Sequence, residues 1–473
     1  MNDTDVPLCV DLDGTLTPID TLHESLLSLI RHAPRSVLAL PAWLAKGKAG
    51  FKQCVAARAR MDIASLPFRG ELVEWLRSER AGGRRLVLAT AANRQIAEEI
   101  ARHLHLFDEV VASDGEHNLS GEGKRQALVA RFGEKGFDYV GNDTPDRIVW
   151  KSSRYAIVVG DAAAVRGAQE VSNVVKVFPT QTFSLRLWVK AARLHQWVKN
   201  LLVFVPALLA HSILQPRVLL DSVLAFVAFG LCASSVYLVN DLLDLAVDRR
   251  HPRKCRRPFA AGQLSASSGI IVAILLLGAA IVIAVSVNWY FCMVLAGYYV
   301  CTWAYSLRLK QIALLDVMML AGLYTVRIIA GAAATLTQPS FWLLAFSVFI
   351  FLSLGIVKRF AELEDARRAG KSQIGGRGYG ATDLSLLMSL GTSSGYCAIV
   401  VMALYINSVD AQMLYAHHKP LWLMCPVLLF WISRMWLLTT RGQMHDDPIV
   451  FALRDRGSLL LLGMLAAIVL ISI

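Results

Sequence analysis

At 473 residues the chain is too long for one ordinary hydrophobic core. Its composition is 55% hydrophobic and only 18% charged, a membrane-type balance that excludes an ordinary soluble domain. The net charge of +12 admits nucleic acid, anionic lipid or phosphorylated ligands, and its placement decides among them. Eight cysteines occur singly with no CxxC pair, so neither a zinc site nor a disulfide framework is indicated.

The opening residues are acidic and polar and carry no signal-peptide pattern, which predicts a first domain in the cytosol. Up to about residue 180, short apolar runs alternate with helical stretches: Leu8–Val10, Leu86–Ala89, Tyr139–Val140, Ala156–Val159 and Val174–Phe178. That alternation predicts an α/β, Rossmann-like domain with a mostly parallel sheet. Residues 20–80 lack a strand pattern and read as a helical cap inserted after the first strand.

From Phe183 to Lys199 the chain mixes Leu and Trp with Arg186, Lys190, Arg193 and Lys199, which suits a helix lying in the headgroup layer; 181–199 is read as this linker. Residues 200–473 then carry apolar stretches near the ~20 residues a crossing helix needs. They predict an all-α bundle of about nine spans, at 200–214, 218–239, 268–287, 290–307, 313–333, 341–357, 384–407, 420–439 and 457–473. Lys and Arg gather in Arg249–Arg257, Ser306–Lys310, Lys358–Lys371 and Arg441–Arg456, whereas the alternate loops carry almost none. The positive-inside bias predicts a multi-pass inner-membrane protein with its basic loops and first domain in the cytosol. The basic residues lie on one membrane face, so a nucleic-acid partner is not expected.

The run Leu8-Cys9-Val10-Asp11-Leu12-Asp13-Gly14-Thr15-Leu16-Thr17 ends an apolar strand in two carboxylates two residues apart. The carboxyl end of a strand in an open α/β sheet is where ligands bind. Asp11 is suited to attack a phosphoryl group and Asp13 to carry the leaving group's proton. This run resembles the first motif of the haloacid dehalogenase (HAD) phosphatases. The resemblance spans about residues 5–178 and implies further roles in chain order. Thr90, ending Leu86–Thr90, would hold the phosphate, and Lys124 would offset the charge on the phosphate and the aspartyl intermediate. Asp138–Asp146 would supply Mg²⁺ ligands beside Asp11 and Asp13. The family places Asp directly after the glycine of that last motif; here Asn142 stands there, followed by Asp143, so either reaches the metal, with Asp146 in support.

Near the second span lies Asn240-Asp241-Leu242-Leu243-Asp244-Leu245-Ala246-Val247-Asp248. On a continuous helix Asn240, Asp241, Asp244 and Asp248 fall within one arc of about 100°. Stacked carboxylates repel unless a cation sits among them, and oxygen donors of this kind suit Mg²⁺ bridged to phosphate oxygens. The dense cationic loop that follows, with Lys254 and Arg257, is placed to grip phosphates. Lys358, Arg359, Glu362 and Asp365 share a helix face at the end of the sixth span. Asp316 and Arg327 share a face along the fifth, where an arginine deep in an apolar stretch needs an acidic partner or a phosphate.

NDxxDxxxD after the second span, with a polar motif about 115 residues later, resembles the UbiA superfamily of intramembrane prenyltransferases, over about residues 190–473. That family's acidic faces hold Mg²⁺ on a diphosphate. Where its usual members carry a second Asp-rich motif, this chain has Lys358-Arg359-Phe360-Ala361-Glu362. Together with Arg193–Asn200, which contains Lys199 and Asn200, and Asp248–Pro258, that motif is similar to the branch making polyprenyl-phosphate phosphoribose. The branch implies a reaction in which polyprenyl phosphate attacks phosphoribosyl pyrophosphate (PRPP) and releases pyrophosphate. A fused phosphatase would remove the remaining 5′-phosphate, giving a precursor of furanose donors such as those of D-arabinofuranose. Two other readings compete: an aromatic prenyltransferase using a prenyl diphosphate, and a transporter with a degenerate regulatory domain. The missing second Asp-rich motif opposes the first, and acids at helix ends rather than at the bilayer midplane oppose the second.

Overall fold

A computed structural model describes residues 5–180, 184–370, 377–444 and 447–473. The start of the expected interfacial helix (181–183) and parts of the basic loops expected over 358–371 and 441–456 fall outside these residues. The chain divides into two compact units, Met1–Ala192 with Tyr237–Ala273, and Arg193–Val236 with Ile274–Ile473.

The first unit is built on a six-stranded parallel sheet in the order β3-β2-β1-β4-β5-β6. The strands are β1 Leu8–Val10, β2 Leu86–Asn93, β3 Glu109–Ser113, β4 Asp138–Gly141, β5 Tyr155–Gly160 and β6 Asn173–Pro179. β1 is central, pairing Val10 with Leu88 on one side and with Val140 on the other. Leu8, Cys9 and Val10 are all solvent-free, which is why the run is uniformly apolar rather than alternating. β3 has no counterpart among the sequence-predicted strands: Glu109-Val110-Val111-Ala112-Ser113 is short and lies at the sheet edge, where half-burial leaves a weak signal. The cap is helical, with Thr21–His32 and Gly47–Ala56 enclosing a small apolar core around Leu29, Trp43 and Val55.

Among the described residues six helices are long and apolar enough to cross a membrane: Pro216–Leu243, Ala266–Val287, Leu315–Thr335, Phe341–Arg368, Ala381–Ile406 and Lys419–Thr440. The chain is an integral membrane protein, and three of the nine expected spans fall short of that length or hydropathy. The stretch at 200–214 is a 3₁₀ run, Leu194–Phe204, followed by the short helix Val205–Leu209. Trp289–Leu307 is a 19-residue helix whose tyrosines and tryptophans lower its hydropathy, and Arg456–Ser472 is shorter than the six. The expected interfacial helix is also interrupted: Leu185–Ala191 ends before Arg193, whose φ of 52° breaks the helical path. In the second unit the helices Leu315–Thr335, Phe341–Arg368 and Met424–Thr440 share a core that includes Ile328, Phe351, Val357 and Trp436. Gly331 lets the 3₁₀ run lie against Leu315–Thr335, since a Cβ there would sit 1.9 Å from the Val203 carbonyl oxygen.

Candidate active sites

In the first unit, Asp11 leaves the end of β1 with its amide bonded to the Val140 carbonyl at 3.0 Å. The turn that follows needs Gly14, whose φ is 75° and whose Cβ would collide with the Asn142 side chain. Arg69 closes the turn from outside, donating to the carbonyls of Thr15 (3.1 Å) and Gly14 (3.2 Å). Lys124, 4% exposed, donates from Nζ to Asp11 Oδ1 at 2.7 Å and to the Tyr139 hydroxyl at 2.7 Å, and lies 3.4 Å from Asp146 Oδ1. The Thr15 hydroxyl donates to Asn142 Oδ1 at 2.9 Å and approaches Asp11 Oδ2 at 3.4 Å. Asp11, Asp13, Lys124, Asn142, Asp143 and Asp146 all line a cavity of about 250 Å³.

Burial pushes the Asp11 carboxyl up to about 6 against the pull of Lys124. Burial and then the neighbouring Asp20 carboxylate push Asp13 up to about 7. For Lys124 burial favours the neutral amine, yet Asp11 and Asp146 outweigh it and hold the pKa above the usual lysine value. The site therefore holds one carboxyl paired to a cation and another protonated near neutrality, the division that nucleophile and proton donor require.

Asp13 is turned toward the cap, accepting from the Thr21 amide (2.8 Å) and hydroxyl (3.2 Å). Thr90 is solvent-free; its hydroxyl accepts from the Ala92 amide at 3.0 Å, and it is not among the cavity-lining residues. Asp146 accepts from the Asn142 amide (2.9 Å), the Asp143 amide (3.3 Å) and the Tyr139 hydroxyl (2.8 Å), so it shapes the β4 turn. Asp143 Oδ1 accepts from the next amide. Among the cavity-lining groups, the Asp11 carboxylate and the Asn142 amide carbonyl are brought together by the Thr15 hydroxyl as an all-oxygen pair of donors. That chemistry fits a hard divalent cation completed by water and phosphate oxygens.

The Asp-rich run belongs to the same unit from Tyr237 onward. The helix does not continue through it: Pro216–Leu243 stops, and Asp244 (φ −96°, ψ 8°) opens a second helix, Leu245–Arg250. Asp241 and Asp248, 4% and 2% exposed, still converge, but the cation between them is the Arg257 guanidinium. Its Nη1 lies 3.0 Å from Asp241 Oδ1 and 2.5 Å from Asp248 Oδ2. Asp244 is drawn elsewhere, accepting from Arg31 at 3.0 Å. Arg249 pairs with Glu24 of the cap (2.6 Å, both largely buried) and Arg250 with Asp62 (2.7 Å). Asn240 is half-buried and Lys254 exposed. No group of three or more His, Cys, Asp or Glu among the described residues is gathered tightly enough to hold a metal as it stands. Asp241, Asp248 and Asn240 nevertheless offer only oxygen donors, which fit Mg²⁺ once Arg257 exchanges onto an anion.

In the second unit, Arg359 is 1% exposed and pairs with Asp316 and Glu362, while its Nη2 donates to the Tyr305 hydroxyl at 3.0 Å. Arg377 joins them, 3.3 Å from Asp316 and 3.6 Å from Glu362. Two arginines against two carboxylates form a balanced network. Asp316 is thereby taken up and is not the acidic partner of Arg327, although the two share a helix face. Arg327 instead donates from Nε to Asn200 Oδ1 (3.0 Å) and also to the Leu323 carbonyl, among the rings of Phe229, Tyr298 and Tyr324 at 5.2–5.5 Å. Lys199 and Lys358 converge on Asp447, at 2.7 and 3.2 Å, with the Tyr324 hydroxyl 3.1 Å from both of its oxygens. Although burial alone would raise it, Lys358 and Lys199 hold the Asp447 carboxyl well below the usual carboxylate range.

Residues 201–462, more than half of the chain, match the UbiA prenyltransferase family, and residues 8–139 match the haloacid dehalogenase-like hydrolases. The chain belongs to the UbiA prenyltransferase family. An uncharacterized protein, y4nM, of Sinorhizobium fredii is 37% identical over 461 residues, 96% of this chain and 89% of its own. A Mycobacterium tuberculosis protein named decaprenyl-phosphate phosphoribosyltransferase is 32% identical over 277 residues, 57% of this chain and 88% of its own. A UbiA homologue from Archaeoglobus fulgidus, solved with GPP and Mg²⁺, aligns at a TM-score of 0.47 with 16% identity, over 60% of this chain and 99% of that one.

The UbiA chain thus joins a transferase-type membrane domain to a HAD-like hydrolase domain, the arrangement of an enzyme. Several of its polar residues escaped the sequence reading. Asp447 carried a signal, an Asp before Pro448 at a helix start, where it caps the Ile449 amide at 3.3 Å. Its partnership with two lysines from distant segments left no local trace. Tyr139 and Lys52 read as strand and cap residues. Lys52 reaches the Ala91 carbonyl (2.6 Å) and Asn118 Oδ1 (3.1 Å) at the cavity wall only because the cap folds over.

Proposed function

We propose that the membrane domain transfers the phosphoribosyl group of PRPP to polyprenyl phosphate, releasing pyrophosphate, and that the HAD domain removes the 5′-phosphate from the lipid product. The observation that carries this reading is the 32% identity with the decaprenyl-phosphate phosphoribosyltransferase over 88% of that protein, in a chain that also carries a phosphatase-type site. The lipid phosphate oxygen attacks the anomeric carbon and the bond to pyrophosphate breaks. In the transferase, Asp241 and Asp248, with Asn240 and Asp244, would hold Mg²⁺, which would supply positive charge for the leaving pyrophosphate. Lys254 and Arg257 of the first unit, and separately Lys199 and Lys358 of the second, offer cations for phosphate groups. Arg359, Glu362 and Arg327 serve by positioning the elements they join, as their internal partners indicate.

In the phosphatase, Asp11 attacks the 5′-phosphorus while Asp13 gives its proton to the departing ribose oxygen. Water then attacks the aspartyl phosphate, returning a proton to Asp13 and releasing inorganic phosphate. Lys124 balances the negative charge on Asp11, and the Ala91–Asn93 end of β2, tied to the buried Thr90 hydroxyl through the Ala92 amide, lines the phosphate's approach. Asp11 and Asn142, with Asp143 nearby, would hold Mg²⁺, which would supply charge neutralisation at the phosphoryl oxygens. The ion pairs Glu24–Arg249, Asp62–Arg250 and Arg31–Asp244, joining cap and Asp-rich run within one unit, support a phosphatase that works on the transferase's own product.

We place the HAD domain at about 1–180, the linker at 181–199 and the transferase at 200–473. The loop charges support an inner membrane with both sites cytosolic, and nine crossings if Leu194–Leu209, Trp289–Leu307 and Arg456–Ser472 join the six. The test is to incubate membranes with labelled PRPP and polyprenyl phosphate and identify the lipid product. A label found only in water-soluble material would reject the reading.

A further inference from the structure

The described residues of the second unit hold a charge imbalance around Asp447. Lys199, Arg327 and Lys358 are three cations, and Asp447 is the one carboxylate that any of them reaches among the described residues. The neighbouring Arg359–Arg377–Asp316–Glu362 network is balanced in itself, and although Glu362 also attracts Lys358, the five cations and three carboxylates together still leave two positive charges over. Lys199 and Arg327 are 8% and 5% exposed, and the Tyr324 ring lies 5.6 Å from Lys199 Nζ and 5.5 Å from the Arg327 guanidinium carbon, so one ring ties them together. An excess of two positive charges, with Lys199 and Arg327 buried, is costly without an anion.

A second observation points to a ligand independently. Asn200 is 1% exposed, and its Oδ1 is fixed as the acceptor by Arg327 Nε at 3.0 Å. That orientation leaves Nδ2 as a buried donor with no acceptor among the described residues. Buried donors are rarely left unmatched, and an unmatched one marks a place where an outside acceptor binds.

We propose that these residues form a site for a phosphomonoester dianion, and that Asp447 is its internal stand-in, displaced from Lys199 and Lys358 when the phosphate arrives. A phosphomonoester carries a charge of about −1.5 to −2 at neutral pH, which matches the excess. Its oxygens accept from Lys199, Lys358 and Asn200 Nδ2, while Arg327 stays on Asn200 and the aromatic rings. This deepens the proposed function and rests on it for the identity of the phosphate, which is the lipid headgroup or the 5′-phosphate of the sugar donor. The exchange makes the site selective: a monoanion or a neutral headgroup recovers too little charge to displace a carboxylate already held by two ammonium groups.

The test uses the purified full-length protein in detergent, with inorganic phosphate as the probe and thermal unfolding and equilibrium binding as readouts. Asp447→Asn removes the competing carboxylate and is expected to bind phosphate about tenfold or more tighter than wild type, the scale of a close charge pair. It is also expected to gain more thermal stability on adding phosphate. Lys358→Gln, at a half-exposed position that tolerates the change, is expected to bind phosphate about tenfold more weakly. It decides the matter if Asp447→Asn does not fold. Phosphate binding unchanged or weakened in Asp447→Asn, or unchanged in Lys358→Gln, overturns the proposal, as does an absence of binding to wild type. Ribose 5-phosphate and a short-chain polyprenyl phosphate are then run as competitors. Whichever displaces inorganic phosphate names the source, and failure of both overturns the site. Phosphate exchange that fails in a protein still active in transfer overturns only this inference. Intact exchange without any transfer from PRPP counts against the proposed function instead.

Discussion

Replacing Lys124 with alanine tests the electrostatic reading of the phosphatase site. The side chain is 5% exposed and stands between Asp11 at 2.7 Å and Asp146 at 3.4 Å. Removing it leaves two buried carboxylates facing each other without a cation, and breaking a buried pair in this way costs about 3–5 kcal/mol. For a domain of this size 1 kcal/mol moves the unfolding midpoint by about 2–4 °C, so Lys124→Ala is expected to lower the midpoint of the first transition by about 10 °C. The loss depends on pH. The folded pKa of Asp11 is about 6, above its ordinary 3.8, so the cost of ionising it in place is absent below about 4 and is fully felt above about 6. Without Lys124 that pKa climbs further and the cost keeps growing at higher pH. Differential scanning fluorimetry at pH 5 and pH 8 should therefore show a small difference from wild type at pH 5 and a large one at pH 8. Asp11→Asn added to Lys124→Ala should return part of the loss at pH 8. A midpoint lowered by less than about 2 °C, or equally at both pH values, would refute the reasoning.

The remaining expectations concern chemistry. Asp11→Asn should abolish phosphate release and cause the 5′-phosphorylated lipid to accumulate while transfer continues; dephosphorylated lipid from the purified variant would show the domain is misassigned. The pH profile of kcat/KM for phosphatase activity should rise as Asp11 ionises near 6 and fall as Asp13 loses its proton near 7, with added Mg²⁺ moving the rising limb to lower pH. A profile flat from pH 5 to 8 would contradict these assignments. Asp241→Ala and Asp248→Ala should each reduce transfer by about 10²-fold or more in a Mg²⁺-titrated assay, and near-normal rates would sink the proposed metal face. PRPP with Mg²⁺ should protect the purified protein against thermal unfolding where 4-hydroxybenzoate does not; the reverse result would favour aromatic prenyl transfer.

Local pattern carried a large part of this protein. The uniformly apolar Leu8–Val10 can only be a strand buried on both faces, and Asp11 and Asp13 are two residues apart whatever the tertiary fold. Long apolar runs report a membrane domain because no other solvent accepts them, and NDxxDxxxD reports its acids by spacing alone. Hydropathy could not fix the number of crossings, because Leu194–Phe204 is a tight 3₁₀ run and Arg193 breaks the helix before it, both matters of backbone conformation. Nor could spacing say which charges meet. Asp316 and Arg327 share a helix face, yet the guanidinium of Arg359 and the hydroxyl of Tyr305 claim Asp316, and Arg327 settles on Asn200 from a distant segment. The single arc of acids is divided the same way, since Arg257 takes Asp241 and Asp248 while Arg31 takes Asp244. A buried charge takes the partner that three-dimensional packing brings within about 3 Å, because leaving it unpaired costs more than any local preference supplies. Residue type and period therefore determined which charges this chain possesses and on which elements they lie; only the tertiary structure decided their partners.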